Sequence, residues 1–238
     1  MGRTPTDLAG ALAAVSARPT PALVWRDGPE RVELSGRVLV NWVEKSAGLL
    51  VDELDVTAGD VVRISPVPHW RLVVLTLAAL RVGARVAFDP ELDAESEAVV
   101  HAYLETAPED PAAGATALVV AAPALAFACS QPLPGGAVDF CDEVRGMGDV
   151  YTGFEEPEAD DAALPSGLTH GELVAAALES LPGEHAGETV FVPMPDGWDE
   201  TQLLRVLGAA AQDGAVLMAT DPGEITGDVL AQEHATAL

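Results

Sequence analysis

Apolar positions along this chain switch repeatedly between a helical and a strand-like spacing, and the switches predict alternating helices and strands. Thr6 and Asp7 are placed to cap a helix that reaches about Ala17, and "ALVW" and "RVEL" then flank Asp27-Gly28 as a hairpin. Ser35 is a candidate N-cap for a long helix in which Leu39, Trp42, Val43, Ser46, Leu49, Leu50 and Leu54 share one face. "TAGD" makes a turn before the β-branched strand "VVRIS". From Trp70 to Val82 the chain is apolar nearly all round, which predicts a helix buried on both sides and stopped by Gly83; "ARVAFDP" reads as the next strand.

The second half continues less regularly. A helix is expected from about Glu95 to Thr106, followed by the buried strand "ATALVVAAP". The stretch 124–163, with many Gly, Pro and acidic residues, reads in part as an excursion over the surface. Thr169 and Glu172 match a T-x-x-E capping box opening a helix to Leu181. "TVFVPMP" is a strand, Asp199 caps the helix "ETQLLRVLGAAAQ", and "GAVLMAT" is a last strand. The tail after Asp221 is weakly patterned and expected to fray. The fold class expected is α/β, a mainly parallel sheet with helices on both faces, forming one domain over 1–223 with a tail at 224–238.

Composition narrows the function classes. The chain has 238 residues, 49% hydrophobic and only 5% aromatic, enough to bury a large aliphatic core. Its 38 acids against 12 bases leave a formal net charge of -26. That field repels phosphate backbones and anionic lipid, so nucleic acid and membrane surfaces are disfavoured as partners. The longest apolar run, Leu72 to Leu80, is about half of the ~18 residues a membrane span needs, and the N-terminus lacks a long signal-like core; a cytoplasmic location is expected. Cys129 and Cys141 read as free thiols rather than a disulfide. His69, His101, His170, His185 and His234 are scattered without metal-ligand spacing, so no metal site is expected. Ser166 lies in no G-x-S-x-G elbow that would make it a nucleophile paired with His170.

Taken in order, the segments "PALVWRDGPERVELSGRVLVNWVEKSAGLLVDELDVTAGDVVRIS", "WRLVVLTLAALRVGARVAFDP", "ADDAALPSGLTHGELVAA" and "TVFVPMPDGWDETQLLRVLGAAAQDGAVLMA" resemble the N-terminal part of the adenylate-forming superfamily of acyl-CoA synthetases, adenylation domains and luciferases. Within it the chain is similar to short actinobacterial proteins that keep only this portion. In that family a Ser/Thr/Gly-rich loop ending in Pro-Lys-Gly precedes the Thr-His; its backbone donors and its lysine hold the ATP phosphates. Here only Pro165, Ser166 and Gly167 stand before Thr169 and His170, and Lys45, the sole lysine, lies far away on a predicted helix. The family's adenine loop, Thr-Glu metal pair, ribose-binding Asp and C-terminal lysine domain are not reached either.

The resemblance therefore implies a domain that has lost adenylation, a pseudoenzyme with no catalytic residue and no bound cofactor. Where the family carries Pro-x-x-His beside its acyl pocket, this chain has Pro193-Met194-Pro195-Asp196, and an Asp there repels a free carboxylate. His69, Met194, Asp196 and Trp198 mark the crevice that a neutral acyl or aryl ligand would use, with ordinary packing as the favoured alternative. Two function classes remain: an inactive binding or interaction module, working as a homodimer or with a protein partner, or a small-molecule binder or residual acyl-activating enzyme completed by a separate partner.

Overall fold

The structure is a computed structural model that describes residues 4–88, 97–108, 110, 113–153, 157–181 and 183–238. These residues form two compact units, one built from the chain up to Val40 with Pro68–Trp70 and Gly171–Leu238, the other from Asn41–Val67 and Arg71–His170. Each unit has its own five-stranded sheet.

The first unit opens with α1 (Leu8–Ser16), capped by Asp7, whose carboxylate accepts from the Gly10 N–H at 2.7 Å. The expected hairpin follows as β1 (Pro21–Asp27) and β2 (Glu30–Ser35), in register Asp27 to Glu30 and Trp25 to Val32. Further along come α5 (Leu173–Ser180), β8 (Thr189–Phe191), α6 (Glu200–Ala211), β9 (Ala215–Ala219), α7 (Gly227–Gln232) and β10 (Ala235–Ala237). The sheet runs β10-β8-β9-β1-β2, and every pairing but the hairpin is parallel. The β8-α6-β9 crossover matches its sequence pattern, with Asp199 accepting from the Gln202 N–H as N-cap.

Most of α2 (Gly36–Asp52) belongs to the second unit. It starts at Ser35, whose Oγ accepts from Val38 N–H, and buries Leu39, Val43, Ser46, Leu49 and Leu50 as the spacing predicts. The next crossover is β3 (Val61–Ile64), α3 (Trp70–Arg81) and β4 (Arg85–Ala87). From Trp70 to Leu80 every α3 residue is buried. Gly83 ends it at φ 83, with Gly83 N–H on Leu80 O and Ala84 N–H on Ala79 O, the paired bonds of a Schellman stop. β5 (Ala98–Leu104), β6 (Thr116–Val120) and β7 (Val138–Asp139) complete the parallel order β4-β3-β5-β6-β7, and α4 (Phe140–Glu143) follows β7.

Two expectations, the helix from Glu95 and the fraying tail, are corrected. The helix drawn from Glu95 to Thr106 is strand β5 over its described part, with its first residues outside the described ones; buried on both faces between β3 and β6, it shows no alternation to separate it from a buried helix. The stretch 124–163, expected in part to run over the surface, also supplies β7 and the buried Phe140, Cys141 and Val144. Two charged side chains order its start. Buried Arg71 donates to the carbonyls of Ala121, Pro123 and Ala126, and Glu105 accepts from Ala122, Ser130 and Gln131 N–H. The tail forms α7 and β10, held by Glu233, which pairs with Arg26 and Arg31, both at 2.7 Å. The helix opened by the Thr169–Glu172 segment is α5, which begins at Leu173, and Thr169 also forms a backbone bridge with Ala162.

Candidate functional site

The turn from Ala163 to His170, which the resemblance sets against the family's phosphate loop, is closed on itself. Ala163 and Leu164 N–H both donate to Leu168 O, Gly167 N–H to Leu164 O, Leu168 N–H to Ser166 Oγ at 3.3 Å, and His170 N–H to Asp161 O. Gly167 sits at φ 90, and Ala163 O accepts from Val86 N–H beside it on β4. A phosphate cradle needs several N–H groups converging on open space. Five amides here already have acceptors inside the protein, and the chain entering the turn carries Asp160 and Asp161. The residues present do not fit an ATP phosphate with its metal.

His170 is buried beside the carbonyls of Gly83 and Ala84, with neither ring nitrogen in a well-aligned hydrogen bond. Burial pushes its pKa below the ordinary histidine value, opposed by Asp161 and the carbonyls of Gly83 and Ala84. The thiols are unsuited to nucleophilic work. Both are free, and Cys129 is pushed up to about 12 by burial, with Asp139 and Glu105 adding to the effect, while burial also raises Cys141.

Of the four crevice residues, His69, Met194 and Trp198 are buried and Asp196 is exposed. His69 lies edge-on to Trp25 with centroids 4.8 Å apart and stacks on Trp70 at 6.0 Å. The Trp25 indole N–H donates to Pro68 O, which also accepts from Thr220 Oγ1. These rings fill the first unit's interior near the ends of β8 and β9. Among the described residues no group of three or more His, Cys, Asp or Glu is arranged to hold a metal, and no described helix is long and apolar enough to cross a membrane.

Lys45, remote from the turn, has a different task. From α2 its Nζ donates to Met147 O and pairs with Asp149 at 2.9 Å. The adjacent Glu44 accepts from Tyr151 N–H at 2.8 Å and pairs with Arg81 of α3, whose guanidinium lies 5.4 Å from the Tyr151 ring centroid. The segment from Met147 to Tyr151 is thereby strapped across α2. Sequence reasoning missed this strap because its partners are far apart in the chain and follow no motif; the one signal was a lone lysine at a half-buried helix position.

No family model matches the sequence. A TIGR03089 family protein of Mycobacterium tuberculosis (strain ATCC 25618 / H37Rv) is 28% identical over 163 residues, 65% of this chain and 66% of that protein. Among solved structures, the Brucella canis acyl-CoA synthetase superposes with a TM-score of 0.73 at 18% identity, covering 99% of this chain and 47% of the synthetase. The N-terminal domain of FACL13 from Mycobacterium tuberculosis gives 0.69 at 16% identity over 96% of this chain and 61% of that one. Coronafacic acid ligase of Pectobacterium brasiliense gives 0.66 at 12% identity over 97% and 50%. The chain spans about half the length of the Brucella synthetase and about two thirds of the mycobacterial relative. At these identities the fold is what is shared: this chain has the α/β fold of the N-terminal domain of acyl-CoA synthetases and related adenylate-forming ligases.

Proposed function

We propose that this chain is a binding or interaction module built on the adenylate-forming fold and does not itself activate carboxylic acids. The observation that carries this reading is the closed turn from Ala163 to His170, whose amides are satisfied internally and whose neighbourhood holds no lysine. Phosphoryl and adenylyl transfer rest on positioning and charge neutralisation, and neither is provided there. The burial of His69, Met194 and Trp198 supports the same reading.

For the interaction side, the support is the loop after β6, where Leu125 and Phe127 are 76% and 70% exposed on a frame fixed by Arg71 and Glu105. Rigid apolar side chains of this kind suit a protein contact, with a second copy or a different protein as partner. The test is pyrophosphate exchange into ATP with Mg²⁺ and a panel of aliphatic and aryl acids, with light scattering for the oligomeric state. Exchange at background is the expected result, and exchange above background with any acid overturns the proposal. Thermal titration with Mg·ATP, AMP and CoA should leave the midpoint unmoved, since only a ligand that binds the folded state raises it.

A further inference from the structure

The strap held by Lys45 and Glu44 roofs a cavity of about 410 Å³ in the second unit, within the range of small-molecule sites. Its walls are the last turns of α2, the Val56–Ala58 turn, Val82 behind α3, and the strap itself with Val150 and Tyr151. None of His69, Met194, Asp196 or Trp198 lines it. Val51, Val56, Val82 and Val150 give the lining an aliphatic part beside the polar Thr57, Tyr151 and Thr152, and Val150 stays 70% exposed, apolar area that an occupant would cover. The lining holds one ionised side chain, Asp52, exposed and without an ion pair among the described residues. The nearby cations Lys45 and Arg81 are already paired, to Asp149 and Glu44.

We propose that this strapped cavity binds a small amphipathic cation, an apolar body bearing a protonated amine, with the body against the valines and the ammonium on Asp52. Three features converge on that class. The apolar walls take a hydrocarbon or aryl body. The single unpaired carboxylate selects positive charge, and the field of a chain of net charge -26 draws cations in and keeps phosphates, acyl-CoA and free acids out. The roof is fixed beforehand by Lys45, Glu44 and Arg81, so little ordering is required on binding.

The test uses the full chain and three probes with one body: 4-phenylbutylamine, 4-phenylbutanol and 4-phenylbutyrate, titrated by calorimetry and by amide shifts of Val150 and Tyr151. The amine should bind most tightly, the alcohol about three- to fivefold more weakly, and the acid not measurably, the ratio set by a solvent-screened ion pair. Asp52→Asn should reduce the amine to the affinity of the alcohol with no change in thermal midpoint, and Asp228→Asn, a surface acid on α7, should leave it unchanged. Raising salt should narrow the gap between amine and alcohol. Absence of amine binding at millimolar concentration, binding of the acid equal to that of the amine, or an amine affinity indifferent to Asp52→Asn overturns the proposal. None of these outcomes bears on pyrophosphate exchange, so the two proposals fail separately.

Discussion

At the scale of single residues, His170 is an interior histidine kept neutral by its surroundings. Its folded pKa lies below the ordinary value of about 6.5, and the cause is burial, opposed by Asp161 and the carbonyls of Gly83 and Ala84. Below that pH the unfolded chain takes up a proton that the folded chain refuses, so acid costs stability. His170→Leu removes this penalty and leaves no acceptor or donor behind, because neither ring nitrogen has a well-aligned partner. The expected outcome is near-equal stability of the two proteins at pH 8, and a variant that gains on the parent as pH falls from 7 to 5. The ceiling is about 1.4 kcal/mol per pH unit between folded and unfolded pKa values. Urea midpoints across that range, with equal slopes, decide it. A second residue-scale outcome concerns Gly83, at φ 83. A methyl added there meets Ala58 Cβ at 3.1 Å and Pro157 Cβ at 3.2 Å, so Gly83→Ala combines backbone strain with crowding. A loss of about 1–3 kcal/mol in denaturant unfolding is expected.

At the scale of elements, the ends of strands are organised by side chains that no periodicity reveals. Arg71 leaves α3 to satisfy three carbonyls beyond β6, and Arg71→Leu strands those acceptors in a buried setting. Stability should fall by about 3–5 kcal/mol, and limited proteolysis should find its first new cut in the segment from Ala121 to Gln131. Such long-range contacts also mark the boundary of what the sequence could tell. Helices α2 and α6 were legible because each has a capping residue and an apolar face in step with 3.6 residues, and α3 because its apolar run stops at a glycine. The hairpin was legible because β1 and β2 flank Asp27-Gly28, and Gly28 takes the positive φ, 52, that such a turn needs. β5 reads as a helix because a strand covered on both faces carries no alternation, and its flanking Ala and Glu favour a helix. β7 and β10, two and three residues long, are too short for any period to register; each exists by pairing with a neighbour already in place. At the site, the lack of any lysine between Asp160 and His170 could be read directly. The closure of the turn by Leu164 O and Leu168 O, and the strap of Met147 to Tyr151 over α2, depend on contacts between distant or irregular backbone and could not.

At the scale of the whole molecule, charge outweighs every other sequence bias. With 38 acids and 12 bases, most carboxylates have no cation to face, and several of the arginines are committed: Arg26 and Arg31 share Glu233, Arg81 holds Glu44, and Arg71 is occupied by carbonyls. Repulsion between like charges is greater in the compact state, where they are held closer than in the unfolded chain, so it opposes folding. The Debye length falls from about 30 Å at 0.01 M salt to about 3 Å at 1 M, so added NaCl removes the distant repulsions first and spares short, partly buried pairs such as Glu233 with Arg26. The thermal midpoint should therefore rise by several degrees between 10 and 500 mM NaCl at pH 8, where the carboxylates are ionised. The rise should shrink towards pH 4.5 as they begin to protonate. A midpoint that falls with salt at pH 8 would mean that the favourable pairs outweigh the repulsion and that the acidic excess is locally compensated. In that case the field invoked to draw a cation to Asp52 would be weaker than the net charge implies, and salt should then lower the affinity for the amine only as far as it screens the single pair with Asp52.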